Sequence, residues 1–184
     1  MSSPQLTVVS GPTAVGKGTL VARLRQEHPE VFVSVSATTR PARAGEVEGL
    51  HYMFVSEEEF DELVAGGQLL EWAVVHGRHR YGTPKAPLMA ALATGREALL
   101  EIDLQGARQV RTSWPSARFV FLAPPSRDEL VRRLVGRGTE TEEQRTRRLR
   151  TAEAEMAAMA EFDHVIVNGE IGQAVHELVV LLGL

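Results

Sequence analysis

The chain has no cysteine among its 184 residues, and that gap removes several chemistries at once. Disulfide staples, thiolate nucleophiles and cysteine-ligated zinc are excluded, and a reducing compartment is permitted. Aromatics are scarce, with two Trp, two Tyr and six Phe, so the core has to be mainly aliphatic. An excess of positive charge is also missing. The 20 Lys and Arg stand against 24 Asp and Glu, a formal net charge of −4, which argues against a nucleic-acid surface as the main business. Long apolar runs are absent: the greasiest segment, Leu178-Val179-Val180-Leu181-Leu182, is far shorter than the ~20 residues of a membrane helix. Met1-Ser2-Ser3-Pro4-Gln5 has no basic region or apolar stretch, so no secretory signal is expected. A single soluble, cytoplasmic domain is the expectation.

What is present is more specific. Gly11-Pro12-Thr13-Ala14-Val15-Gly16-Lys17-Gly18-Thr19 follows the apolar run Leu6–Ser10 and precedes residues 19–25, whose apolar spacing is helical. Strand, glycine-rich loop and helix in that order make a phosphate cradle. Inward-turned N–H groups form an anion nest, the helix N-terminus adds partial positive charge, and Lys17 adds a full one. The chain is therefore expected to hold a nucleoside di- or triphosphate. In the common pattern a hydroxyl directly follows the lysine and reaches a magnesium ion. Here Gly18 intervenes and the hydroxyl is Thr19, the candidate Mg2+ ligand, directly or through water.

Buried-type strands are read at Leu6–Ser10, 31–36, 98–103, Arg118–Ala123 and 164–168, with helices between them. Ser126-x-x-Glu129 is a capping box for a helix over 128–135, Thr141-x-x-Gln144 opens one to about 160, and the last helix spans 172–182. This βα alternation predicts an α/β fold, a mostly parallel sheet with helices on both faces. Residues 37–87 break the rhythm with alternating runs around a capping box at Ser56-x-x-Glu59, and read as an inserted antiparallel lobe. The glycine-bearing, charged segment 131–150 reads as a lid. The core is then 1–36, 88–130 and 151–184.

Arg40 and Arg43 flank Pro41 beside the hydroxyls of Ser36, Thr38 and Thr39, so their guanidinium forks can converge on one phosphate. A solvated basic turn fits the same spacing. The run Ser36 to Glu46, followed by Gly49, Tyr52, Phe54 and Val55, resembles the GMP-binding signature of guanylate kinases, nucleoside monophosphate kinases of the P-loop family. The resemblance continues through Glu71-Trp72-Ala73, Tyr81-Gly82-Thr83, Glu101-Ile102-Asp103-Leu104-Gln105-Gly106, Gly136-Arg137-Gly138-Thr139, Arg147-Arg148-Leu149 and Asn168. Two departures stand out: one extra residue before Tyr81, and Glu101 where the family has Asp.

The resemblance implies a P-loop kinase fold and transfer of the γ-phosphoryl group of ATP to GMP, and to dGMP, giving ADP and GDP. It implies ATP contacts from Gly11, Pro12, Thr13, Ala14, Val15, Gly16, Lys17, Gly18, Thr19, Arg137 and Asn168, the last beside adenine. It implies GMP contacts from Ser36, Arg40, Arg43, Tyr52, Glu71, Tyr81, Thr83, Glu101 and Asp103. Catalytic charge would come from Lys17, Arg40, Arg137 and Arg148, with Mg2+ entering alongside ATP. No nucleic acid, membrane or obligate protein partner is implied. An acidic acceptor at Glu71 facing guanine N1–H and N2–H2 would reject adenine, which offers no donors there. Glu101 and Asp103 could instead merely cap the next helix. Two rivals share the motifs: a phosphopeptide-binding module without catalysis, and a kinase acting on a sugar phosphate.

Overall fold

The computed structural model describes residues 5–75, 77–135 and 142–184. Strand β1 (Leu6–Ser10) leads through the loop into α1 (Lys17–Glu27) and β2 (Phe32–Val33). A lobe follows, made of β3 (Ser36–Thr38), β4 (Tyr52–Phe54), α2 (Glu57–Ala65), β5 (Leu69–Val75) and β6 (His79–Pro84). The chain re-enters the core through α3 (Lys85–Ala93), β7 (Ala98–Glu101), α4 (Leu104–Ser113) and β8 (Arg118–Ala123). It finishes with α5 (Arg127–Val135), α6 (Glu142–Ala157), a 3-10 turn (Ala158–Glu161), β9 (His164–Val167) and α7 (Ile171–Leu182).

The main sheet is parallel throughout, in the order β2-β7-β1-β8-β9. Its strands are aliphatic on both sides because both faces are covered. Leu20, Leu24, Val175 and Leu178 of α1 and α7 pack on Val9, Leu99 and Leu122. On the opposite face Leu88, Ala107 and Val110 of α3 and α4 meet Val8, Leu100 and Phe119. The chain leaves β1 toward one edge and later fills the other, so the crevice past the C-terminal ends of β1, β7 and β8 is a topological switch point. That crevice opens where the glycine-rich loop begins.

Two expectations need correcting. The strand read at 31–36 is two strands. β2 pairs with β7 in the core, whereas β3 starts at Ser36 and pairs inside the lobe. Ser34 N–H still bonds Leu99 C=O at 2.9 Å, so the chain peels off the sheet only after it. The lobe sheet, in the order β4-β3-β6-β5, is also not wholly antiparallel, because β3 and β4 run parallel through the excursion at 39–51. Apolar alternation reports a half-wet face and carries no strand direction. The Ser56 capping box is complete in α2. At α5 only half of one forms: Ser126 Oγ accepts from Glu129 N–H at 3.1 Å, while the Glu129 carboxylate turns to Arg132 and Arg133. Thr141 lies outside the described residues.

Candidate active site

The loop is built by backbone geometry that few residues tolerate. Gly16 sits at φ 102° as the N-cap of α1, and a Cβ there would come within 2.6 Å of Asn168 Nδ2. Ala14 takes φ 66°, which costs energy for a residue with a side chain. No side chain caps α1 among the described residues, so its first N–H groups face the crevice, as an anion site requires. The Lys17 ammonium donates to the carbonyls of Gly11 at 2.5 Å and Pro12 at 3.3 Å, folding the side chain back over the loop. Burial lowers its pKa below the ordinary lysine value, against the opposing pull of Glu101, Glu155 and Asp103. Thr19 is exposed in the first turn of the helix.

Asn168 and Arg133 brace this loop from behind. The buried Asn168 amide donates to Val15 C=O at 2.8 Å, and Arg133 donates to the same carbonyl at 3.1 Å and to Asn168 C=O at 3.2 Å. Asn168 is thus tied to the loop's own main chain. At the front of the loop, Glu155 of α6 accepts from Thr13 N–H at 2.9 Å. A carboxylate oxygen therefore occupies an N–H that an anionic ligand would use.

In the lobe, Arg40 and Glu71 are the buried charged side chains among the described residues, 8% and 5% exposed. Such residues are almost never interior unless paired, so both positions are informative. Arg40 donates through Nε to Tyr81 OH at 3.0 Å and through both Nη atoms to Glu46 at 3.0 and 2.8 Å. Its Nη1 also reaches Pro41 C=O at 2.7 Å. The bond to Glu46 raises its pKa above the ordinary range, so it stays cationic at any working pH. Of five guanidinium hydrogens, these bonds leave one on Nη2 for a ligand. Tyr52 and Tyr81 meet edge to face at 5.8 Å, with Arg40 above the Tyr52 ring. Arg43 is exposed at the lobe rim, its N–H bonded to Glu46 at 2.7 Å.

Glu71 accepts from the buried Thr83 hydroxyl at 2.6 Å. Burial nevertheless pushes its carboxyl pKa up to about 7, with Asp103 adding to the rise and Thr83 opposing it. Asp103 is the N-cap of α4, its Oδ1 accepting from Gly106 N–H at 2.8 Å. It also lines the crevice, so capping and exposure to a ligand coexist in one carboxylate. Burial likewise raises the pKa of Glu101 at the end of β7, with Lys17 and Arg25 opposing.

These parts form two adjoining cavities. One, of about 860 Å³, is walled by Thr13 to Thr19, Arg133, Thr151 and Glu155. The other, of about 210 Å³, is walled by Ser36, Tyr52, Glu71 and Tyr81. Lys17, Val75, Glu101 and Asp103 line both, so the lysine and two carboxylates stand at their junction. Among the expected residues, Arg137 lies outside the described residues, as does the Arg148 side chain on α6. Sequence reasoning missed Arg133, Glu155 and Glu46. The signal for Arg133 was its position on α5, three residues after the core residue Leu130 and next to Leu134. Glu46 was visible as the acid closing the Arg40–Arg43 turn.

A family profile described as "Guanylate kinase" matches residues 3–183. The chain is 60% identical over 178 residues to the guanylate kinase of Streptomyces coelicolor, covering 97% of this chain and 90% of that protein. It is 58% identical over 179 residues to that of Cutibacterium acnes, again covering 97% and 90%. The crystal structure of guanylate kinase from Anaplasma phagocytophilum matches with a TM-score of 0.82 at 34% identity, over 99% of this chain and 86% of that one. A shikimate kinase from Bacteroides thetaiotaomicron, with a TM-score of 0.52 at 15% identity, shares the fold alone. The two-cavity crevice, the phosphate-cradling loop and the family match extend over the same chain, which belongs to the guanylate kinase family.

Proposed function

We propose that the chain transfers the γ-phosphoryl group of ATP to GMP, forming ADP and GDP, and to dGMP, forming ADP and dGDP, in the cytoplasm. The observation that carries this reading is the junction itself: a loop-lined cavity for the donor and a lobe-lined cavity for the acceptor meet at Lys17. Gly11 to Thr19 would hold the ATP phosphates, with Asn168 and Arg133 keeping the loop in shape. Ser36, Arg40, Arg43, Tyr52 and Tyr81 would hold the GMP phosphate. Glu71 and Thr83 would read the guanine edge, with Glu101 and Asp103 between the two nucleotides.

The nucleophile is a GMP phosphate oxygen, already anionic near neutral pH because its second pKa is about 6. No general base is required. The task is electrostatic: two polyanions must be held in line, and the charge on the moving group neutralised without water. Lys17, Arg40, Arg137 and Arg148 supply protein charge for this. Among the described residues no cluster of three acidic or histidine side chains could cage a metal. Glu101 and Asp103 at the junction and Thr19 in the loop-side cavity offer hard oxygens, a set suited to Mg2+ carried mainly by nucleotide phosphates and water. Bound there, Mg2+ would neutralise phosphate charge. Closure of the 131–150 lid over the crevice would protect ATP from hydrolysis.

A coupled ADP-release assay across GMP, dGMP, AMP, UMP and sugar phosphates tests the reading. GMP and dGMP should turn over, the others at background. AMP outpacing GMP would overturn the guanine assignment, and turnover of none of them would favour a phosphopeptide-binding module.

Glu155 yields a separate prediction. Its carboxylate on Thr13 N–H must give way to a phosphate oxygen, so Glu155→Gln removes a charge that opposes the incoming triphosphate. ATP should bind about fivefold tighter by calorimetric titration, on the order of 1 kcal/mol for one solvated charge pair. Weaker binding would instead make Glu155 a nucleotide contact.

A further inference from the structure

Within the lobe, one oxygen of Glu71 is held by the Thr83 hydroxyl of β6 at 2.6 Å. The pairing of β5 with β6 shifts register between Leu69 and Trp72, so Glu71 sits within an irregular stretch of the ladder. Outside support comes from α4, an element of the core packed against this lobe strand. A Cβ built on Gly106, in the first turn of α4, would fall 2.5 Å from Glu71 Oε2 and 3.1 Å from its Cδ. The carboxylate thus occupies space that only a glycine leaves. Three residues further along, Gln109 grips the main chain of the next strand residue at both ends. Its Oε1 accepts from Trp72 N–H at 3.2 Å and its Nε2 donates to Trp72 C=O at 2.7 Å, as a neighbouring strand would. Asp103 completes the surface by holding Gly106 N–H at 2.8 Å.

We infer that Gly106 and Gln109 are positioning residues for base selection: α4 is a platform that sets the depth and direction of the Glu71 carboxylate. This rests on the reading of Glu71 as the guanine acceptor. Neither residue lines the loop-side or lobe-side cavity, and each acts through Glu71. The atom nearest the added Cβ is the end of a side chain and not main chain, so the fold can absorb Gly106→Ala by displacing that carboxylate. Alanine also favours the helix over glycine.

Gly106→Ala should therefore melt at the wild-type temperature or above it, yet raise KM for GMP about tenfold or more. Its kcat at saturating GMP and KM for ATP should stay within about twofold. Gln109→Leu, which keeps bulk and loses both bonds, should raise KM for GMP in the same selective way. The deciding measurement is a double-mutant cycle, since residues acting through one another are non-additive. In a Glu71→Ala background, Gly106→Ala should add no further loss. Equal losses with and without Glu71, no loss in either variant, or a matching rise in KM for ATP would each overturn the inference. If Glu71→Ala alone leaves KM for GMP unchanged, the base-reading assignment falls, and this inference with it. If Glu71→Ala is damaging but Gly106→Ala and Gln109→Leu are silent, only the platform falls.

Discussion

Lys17→Ala is expected to lower kcat about 10²- to 10³-fold, the usual consequence of removing one preorganised group from a developing charge. Its ammonium is held by the Gly11 and Pro12 carbonyls at 2.5 and 3.3 Å, at the junction of the two cavities. Burial has lowered its pKa, which signals a poorly solvated cation, and a charge in such surroundings acts on a passing phosphoryl group with little screening. The fold does not depend on that charge, because the loop is shaped by Gly16, Asn168 and Arg133. The melting temperature should therefore stay within a few degrees of wild type. Lys17→Met, which keeps the aliphatic stem, should lose as much activity as the alanine variant. A methionine variant within tenfold of wild-type kcat would take the charge out of the transition state.

Glu71→Gln should cost about 10²- to 10³-fold in kcat/KM for GMP, the loss of charge-assisted bonds to two guanine donors. An amide also turns one of its own donors toward N–H groups that cannot accept. The same substitution should stabilise the protein at alkaline pH. The Glu71 carboxyl has its folded pKa raised from 4.5 to about 7, so between those values the folded state binds more protons than the unfolded chain. Stability from this group is full below pH 4.5 and declines as pH rises through 7. The amide never ionises, so Glu71→Gln should gain on wild type by up to about 3 kcal/mol at pH 8 and by nothing near pH 4. Denaturant melts at the two pH values check this. A gain that is equal at both would assign the effect to packing. In the active enzyme, KM for GMP should rise as pH falls through 7, because the acceptor is lost on protonation. That pH dependence should be absent from Glu71→Gln. The group proposed to select the base is thus one the fold would be more stable without above pH 7.

The glycine-rich loop was legible in the sequence because it is local. A strand, a glycine-rich turn and a helix start lie within residues 6–27, and the conformations at Gly16 and Lys17 follow from near neighbours. The Arg40–Arg43 pair was visible for the same reason, as was the complete cap at Ser56, while the Glu46 carboxylate that holds Arg40 was missed. Misreadings arose where pattern carries no partner information. The run 31–36, Val-Phe-Val-Ser-Val-Ser, is continuous in β-type residues, and only the fold divides it between two sheets. The packing roles of Glu155, Gly106 and Gln109 gave no usable signal, since each earns meaning from a residue 35 or more positions away: Thr13, Glu71 and Trp72.

The sequence by itself determined the α/β alternation and the phosphate loop with its Lys17, because spacing and residue type dictate local backbone and charge, while Arg40 and Glu71 were singled out by the family resemblance. Tertiary structure alone decided that the loop-side and lobe-side cavities meet at Lys17, Glu101 and Asp103. It also decided that Glu71 is buried deeply enough to titrate near neutrality, and that α4 is what supports it. The reason is physical. Desolvation and close approach depend on which surfaces pack together, and packing is a relation between segments that no single stretch of chain contains.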